Sequence, residues 1–159
     1  MVALLKAQGS KQHKATGGRM SPERIDSSWH WQDAWILMCM IIGCGPKGCD
    51  LERIVGVADY IDRSYPTVEQ LNGALNRLAA GRLITSRRGK FFVTERALAL
   101  YEKAKTVRKR GTRRQMHALE NMLACPICGV RLKTVRPRFS IDEASLKQAI
   151  RDYNKHSNL

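Results

Sequence analysis

Residues 67–104 read TVEQLNGALNRLAAGRLITSRRGKFFVTERALALYEKA, and the spacing of their apolar residues changes twice. Val68, Leu71, Leu75 and Leu78 recur at the helical period, behind a capping box, Thr67-x-x-Gln70, in which each side chain satisfies a free backbone N–H of the other. Gly81 ends that helix where a left-handed residue costs least. Leu83-Ile84-Thr85-Ser86 and Phe91-Phe92-Val93-Thr94 then read as two short strands around the turn Arg87-Arg88-Gly89-Lys90. Thr94 caps a further helix that carries Ala97, Leu98, Leu100, Tyr101 and Ala104.

Upstream, Asp50 is the N-cap of a helix whose stripe is Leu51, Ile54, Val55, Ala58 and Ile61. Arg63-Ser64-Tyr65-Pro66 breaks it, because proline disfavours a helical residue before it. Before that, Trp31, Trp35, Met38 and Ile42 fall at helical spacing in a segment that Ile36, Leu37, Met40 and Ile41 make apolar nearly all round. Such a segment is a helix buried on several sides or a subunit interface, with a buried strand as the alternative, and Gly43, Gly45 and Pro46 end it in a loop. The order is helix, helix, tight turn, helix, hairpin, helix: a helix-turn-helix with a wing. The expected fold is mainly α with a small β-hairpin wing, plus a small C-terminal knuckle-and-helix extension. The expected boundaries are a flexible basic tail over 1–28, a winged helix-turn-helix over 29–105, a basic connecting helix over 106–123, and a C-terminal unit over 124–159.

From about Trp29 to Lys105 the chain resembles the winged helix-turn-helix domain of bacterial transcription regulators of the MarR and PadR type. The likeness rests on Leu75-x-x-Leu78-x-x-Gly81-Arg82-Leu83-Ile84, the basic turn, and Phe92-Val93-Thr94-Glu95-Arg96-Ala97. Ala97 stands where many members have glycine. The resemblance implies that a recognition helix runs into the first wing strand and that the second strand ends in a threonine opening the next helix.

In a helix-turn-helix the second helix enters the major groove. Opposite its apolar stripe stand Gln70, Asn72, Asn76 and Arg77, of which the amides suit adenine and the guanidinium suits guanine. Tyr65 and Thr67, at the start of helix 67–80, are candidates for phosphates, and Gly73 would let the backbone approach a duplex closely. In the wing, 82–94, Arg82, Arg87, Arg88 and Lys90 surround the hairpin tip, within reach of a minor groove or backbone.

Charge points the same way. The 159 residues carry 28 Lys+Arg against 14 Asp+Glu, a net of +14. Residues 29–102 are nearly neutral, nine basic against eight acidic, whereas 103–138 hold eleven basic and one acidic. A block of that density is a footprint for a polyanion, since each neutralised phosphate releases condensed counterions. Within segment 103–114, Arg108, Lys109, Arg110, Arg113 and Arg114 are the expected backbone contacts. Gly111 breaks the helix there, Thr112-x-x-Gln115 opens the next with a capping box, and Met116, Leu119, Met122 and Leu123 give it an apolar face.

Cys125-Pro126-Ile127-Cys128-Gly129 has the shape of a zinc knuckle, with Cys125 and Cys128 as candidate metal ligands. A structural zinc takes four ligands, and the remaining two could come from His117, from Cys44 and Cys49, or from a symmetric subunit. Val130 to Val135 alternates like a strand, and Ser140-Ile141-Asp142-Glu143 offers a capping box to a last helix with Leu146, Ala149, Ile150 and Tyr153 on one face. His13, His30 and His156 have no convincing partners in the sequence and read as structural or exposed.

No apolar run approaches the roughly 20 residues that span a bilayer, and the N-terminus lacks the pattern of a signal peptide, so a cytoplasmic protein with reduced thiols is expected. No nucleophile elbow, phosphate-binding loop or HExxH site is present, which argues against an enzyme. The expected function is sequence-dependent binding of double-stranded DNA by a homodimeric regulator, with zinc as the one cofactor considered. The alternative is an adaptor that binds protein with its winged helix and RNA or an acidic partner with its basic segment.

Overall fold

The computed structural model describes residues 24–157. Six α-helices and one hairpin follow the order α1 (Trp31–Gly43), α2 (Leu51–Asp62), α3 (Val68–Ala80), β1 (Ile84–Arg87), β2 (Lys90–Val93), α4 (Glu95–Val107), α5 (Thr112–Ala124) and α6 (Glu143–Ser157). This is a mainly α, winged-helix-like fold with a β-hairpin wing. The expected tail, residues 1–28, lies largely outside the described residues, and His13 wholly so.

The local chemistry accounts for most element ends. Asp50 caps α2 by accepting from Arg53 N–H at 3.0 Å. Thr67 and Gln70 form the full capping box of α3, with bonds of 3.2 and 2.9 Å. Thr94 accepts from Ala97 N–H at the start of α4 while its hydroxyl reaches the carbonyl of Arg82 at 2.9 Å, tying the wing's base to that helix. The strands pair antiparallel with Ile84 opposite Val93 and Arg87 opposite Lys90, which leaves a two-residue turn. Its residues Arg88 and Gly89 both have positive φ, 52° and 73°, as a tight hairpin matching the strand twist requires.

One core runs through the whole described chain. Ala34 to Met40 of α1 are buried, and α1 lies against α2, α3, β2 and α5. Met116, Leu119 and Leu123 of α5 and Leu146 and Ala149 of α6 belong to the same core cluster. The connecting helix and C-terminal helix are therefore layers on the winged unit: α5 packs on α1 and α4, and α6 on α2. Most of the apolar girth of α1, from Ala34 to Met40, is buried inside one chain, while Trp31 and Ile42 at its two ends stay exposed. It is a helix, not the alternative strand.

Four local expectations are corrected. Gly81 is right-handed, φ −75°, and the left-handed residue is Arg82, φ 56°; glycine serves here because a Cβ would meet Trp29 and Val130 at 3.1 Å. Thr112 is inside α5 rather than capping it; Gly111 takes the N-cap with no side-chain bond, and Gln115 accepts instead from Tyr101 Oη–H at 3.0 Å. Asp142, not Ser140, caps α6, accepting from Ser145 N–H at 2.7 Å. Residues 130–135 form no strand, only a single bridge between Val135 and Ile25.

Candidate nucleic-acid interface

Helix α3 is occupied on the face that was expected to read bases. Arg77 turns inward: its Nε donates to both carboxylate oxygens of Asp33 at 3.0 and 2.9 Å, with Asp33 fully buried and Arg77 7% exposed. Gly73 makes room for this, since a Cβ there would lie 3.1 Å from an Arg77 guanidinium nitrogen. The absent side chain serves an internal ion pair rather than an approaching duplex.

Asn72 and Asn76 hold the chain's own segment 138–141. Asn76 Oδ1 accepts from Arg138 and Phe139 N–H at 2.5 and 2.8 Å, and its Nδ2 donates to the Phe139 carbonyl at 2.9 Å. Asn72 repeats the pattern one turn earlier, accepting from Ile141 N–H at 2.7 Å and donating to the Ile141 carbonyl at 2.8 Å. Two amides at i and i+4 thus imitate the edge of a strand, and the paired backbone lies along α3 as a strap. Phe139 pins the strap to the wing by an edge-to-face contact with Phe91, centroids 5.5 Å apart. Tyr65 is also engaged, its hydroxyl donating to Asn154 Oδ1 of α6 at 3.0 Å. Thr67 and Gln70 are taken up in their capping box. The outward set read from the sequence is corrected: Arg77 is a core residue, and Asn72, Asn76 and Tyr65 fasten the C-terminal region to the winged unit.

The wing keeps the expected geometry. Arg82, Arg87, Arg88 and Lys90 are exposed. Arg87 lies over the Phe92 ring, 5.7 Å from its centroid. A third strand-like contact supports the hairpin from upstream, Cys49 exchanging backbone bonds of 2.9 and 2.8 Å with Phe91. The connector Arg108, Lys109, Arg110 and Arg114 is exposed, while Arg113 donates to Asp62 of α2 at 2.5 Å. Among the described residues no carboxylate lies within ion-pairing distance of Arg87, Arg88, Lys90, Arg108, Lys109, Arg110 or Arg114. Helix α4, thirteen residues, separates the wing from the connector by about 20 Å at 1.5 Å rise per residue.

Sequence reasoning missed Arg136 and Arg138. Both are exposed, and with Asn76, Ala79 and Ala80 they line a cavity of 230 Å³ against α3. The strap therefore replaces amides with guanidinium groups on that side of the molecule. Their membership of the basic block 103–138 was the available signal; what hid them was the assumption that residues beyond the knuckle formed a separate unit.

Cys44 and Cys49 are joined as a disulfide, with Cα atoms 4.7 Å apart. This corrects the expectation of reduced thiols at that loop and removes the pair, in this state, as partners for the knuckle. In the knuckle, Cys125 Sγ accepts from Cys128 N–H at 3.4 Å, and Gly129 N–H returns to the Cys125 carbonyl at 2.9 Å. The bond with Cys128 and neighbouring backbone N–H groups lower the Cys125 thiol to about 7, while the same pairing raises Cys128. Burial pushes the Cys39 thiol far up. His117 pairs with Glu120 at 3.2 Å, and no group of three or more His, Cys, Asp or Glu side chains suited to a metal occurs among the described residues. His30 and His156, expected to lack partners, lie 2.7 Å from Asp26 and Glu52.

No family model matches this chain, and neither a curated protein nor a solved structure matches it. Among the described residues no helix is long and apolar enough to cross a membrane.

Proposed function

We propose that this protein binds double-stranded DNA through its phosphate backbone and acts in transcription regulation as a binding protein rather than an enzyme. The observation that supports the reading is the set of exposed, unpaired cations at both ends of α4, the wing tip on one side and Arg108, Lys109, Arg110 and Arg114 on the other. Long cationic side chains without a carboxylate partner are free to exchange condensed counterions for phosphate contacts. Arg136 and Arg138 extend the basic surface over α3. With α3 strapped, its side chains position the fold, and direct reading of bases falls to the wing, which has the reach for a minor groove. We place such a role in the cytoplasm.

The covered face of α3 favours a second reading, in which the winged unit is an adaptor and the basic surface takes RNA or an acidic protein. One experiment separates the two. The intact chain is titrated with a random DNA duplex at several salt concentrations, then challenged with RNA. Binding of DNA with a steep salt dependence, lost in a variant carrying R108Q, K109Q, R110Q and R114Q by about ten- to hundredfold at low salt, supports the first reading. An unchanged salt slope in that variant, or displacement of DNA by equimolar RNA, overturns it.

A further inference from the structure

The knuckle has the shape of half of a tetrahedral metal site, and among the described residues no group of three or more His, Cys, Asp or Glu side chains completes it. Cys125 and Cys128 stand at the end of α5 with Cys128 exposed and Cys125 partly so. The turn between them is the kind that presents two sulfurs to one ion: the Cys128 N–H points at Cys125 Sγ, and the Gly129 N–H closes the loop onto the Cys125 carbonyl. Gly129 is obligatory to that shape. A Cβ there would fall 2.3 Å from the Cys125 carbonyl oxygen and 2.6 Å from those of Leu123 and Met122. The turn closes the end of α5 and holds both thiols on one backbone loop.

Ile127, at the tip between the cysteines, is 95% exposed, the highest exposure among the described large hydrophobic residues. A second copy meeting the chain at the knuckle would cover it. The immediate surroundings are cationic, for Arg131 and Lys133 follow the knuckle and are exposed. A zinc ion with four thiolates carries a net charge of −2, which such surroundings offset.

We infer that Cys125 and Cys128 bind one zinc ion jointly with Cys125 of the partner subunit and Cys128 of the partner subunit, so that two copies of this chain are joined through a shared four-thiolate site. Two-fold symmetry supplies the missing ligands without any further residue, and it brings the two exposed isoleucines to the same junction. Each thiol releases its proton to solvent on coordination, four protons per zinc, with no change of oxidation state. The inference is independent of the proposed DNA binding, because the metal joins copies whether or not they bind nucleic acid.

The test uses the full chain, reduced at the knuckle and free of any histidine tag, titrated with zinc. Metal content and mass in solution are read together. The expected result is one zinc per two chains and a mass of twice 18.0 kDa that returns to 18.0 kDa on adding a chelator. Cobalt in place of zinc gives the intense sulfur-to-metal bands of a four-thiolate tetrahedral site. C125S and C128S, each checked for native circular dichroism, lose metal and dimer together, while C44S/C49S keeps both. One zinc per chain, no zinc at saturation, or metal retained in C125S overturns the inference.

Discussion

Arg77 of α3 and Asp33 of α1 form a doubly bonded ion pair in the core, the guanidinium Nε reaching both carboxylate oxygens at 3.0 and 2.9 Å. Asp33 also accepts from the backbone N–H of His30 at 2.7 Å, so one carboxylate locks the start of α1 to the last turn of α3. The pair explains why a guanidinium that looked aimed at guanine is unavailable to a ligand.

Removing one partner leaves an uncompensated buried charge. D33A should lower unfolding free energy by about 3–5 kcal/mol in denaturant titrations, and R77M by a similar amount. Replacing both with apolar residues should recover much of that loss. R77Q, in whatever fraction stays folded, should bind DNA as the parent does. A selective loss of sequence discrimination in R77Q would return Arg77 to the interface.

The strap depends on two amides. N76A removes two acceptor bonds and one donor bond to segment 138–139 and should cost about 1–3 kcal/mol, since the freed backbone groups are partly buried. Hydrogen exchange at Phe139 and Ile141 should quicken in N76A and further in N72A/N76A, while exchange in α1 stays slow. Unaltered protection of the strap would mean that Phe139 packing alone holds it.

Thr94 joins two elements through one hydroxyl. T94A loses the cap on α4 and the bond to the Arg82 carbonyl, for an expected loss of about 1–2 kcal/mol. T94S retains both bonds and should lie close to the parent, which thermal unfolding of the two variants can check.

The knuckle thiols should differ in reactivity. With reduced, metal-free protein, alkylation of Cys125 should rise as pH climbs through about 7, because the thiolate is the reactive form and its bond from Cys128 favours it. Cys128, raised by the same partner, should respond only at higher pH, and buried Cys39 should stay unreactive until the chain unfolds. Peptide mapping across a pH series reads all three.

Much of the fold was legible in the chain itself. The stripes of α2 and α3, the caps Asp50, Thr67 and Thr94, and the wing turn Arg88-Gly89 follow from neighbours within four or five residues, where backbone hydrogen bonds and side-chain periodicity are decided. The density of cations after residue 102 is likewise a property of composition that no packing alters.

Tertiary structure decided which polar residues remain available to a partner. Asn72, Asn76, Arg77 and Tyr65 lie on the side of α3 or its approach that a helical wheel assigns to solvent. Each is claimed by a group far along the chain, Asp33, the 138–141 strap or α6, at separations of 44 to 89 residues. Local periodicity carries no information about a segment that returns over a helix from so far along the chain. Desolvation makes that return binding: once the strap and α1 exclude water, an unpaired donor or acceptor on α3 is costly, and these side chains are held by protein partners.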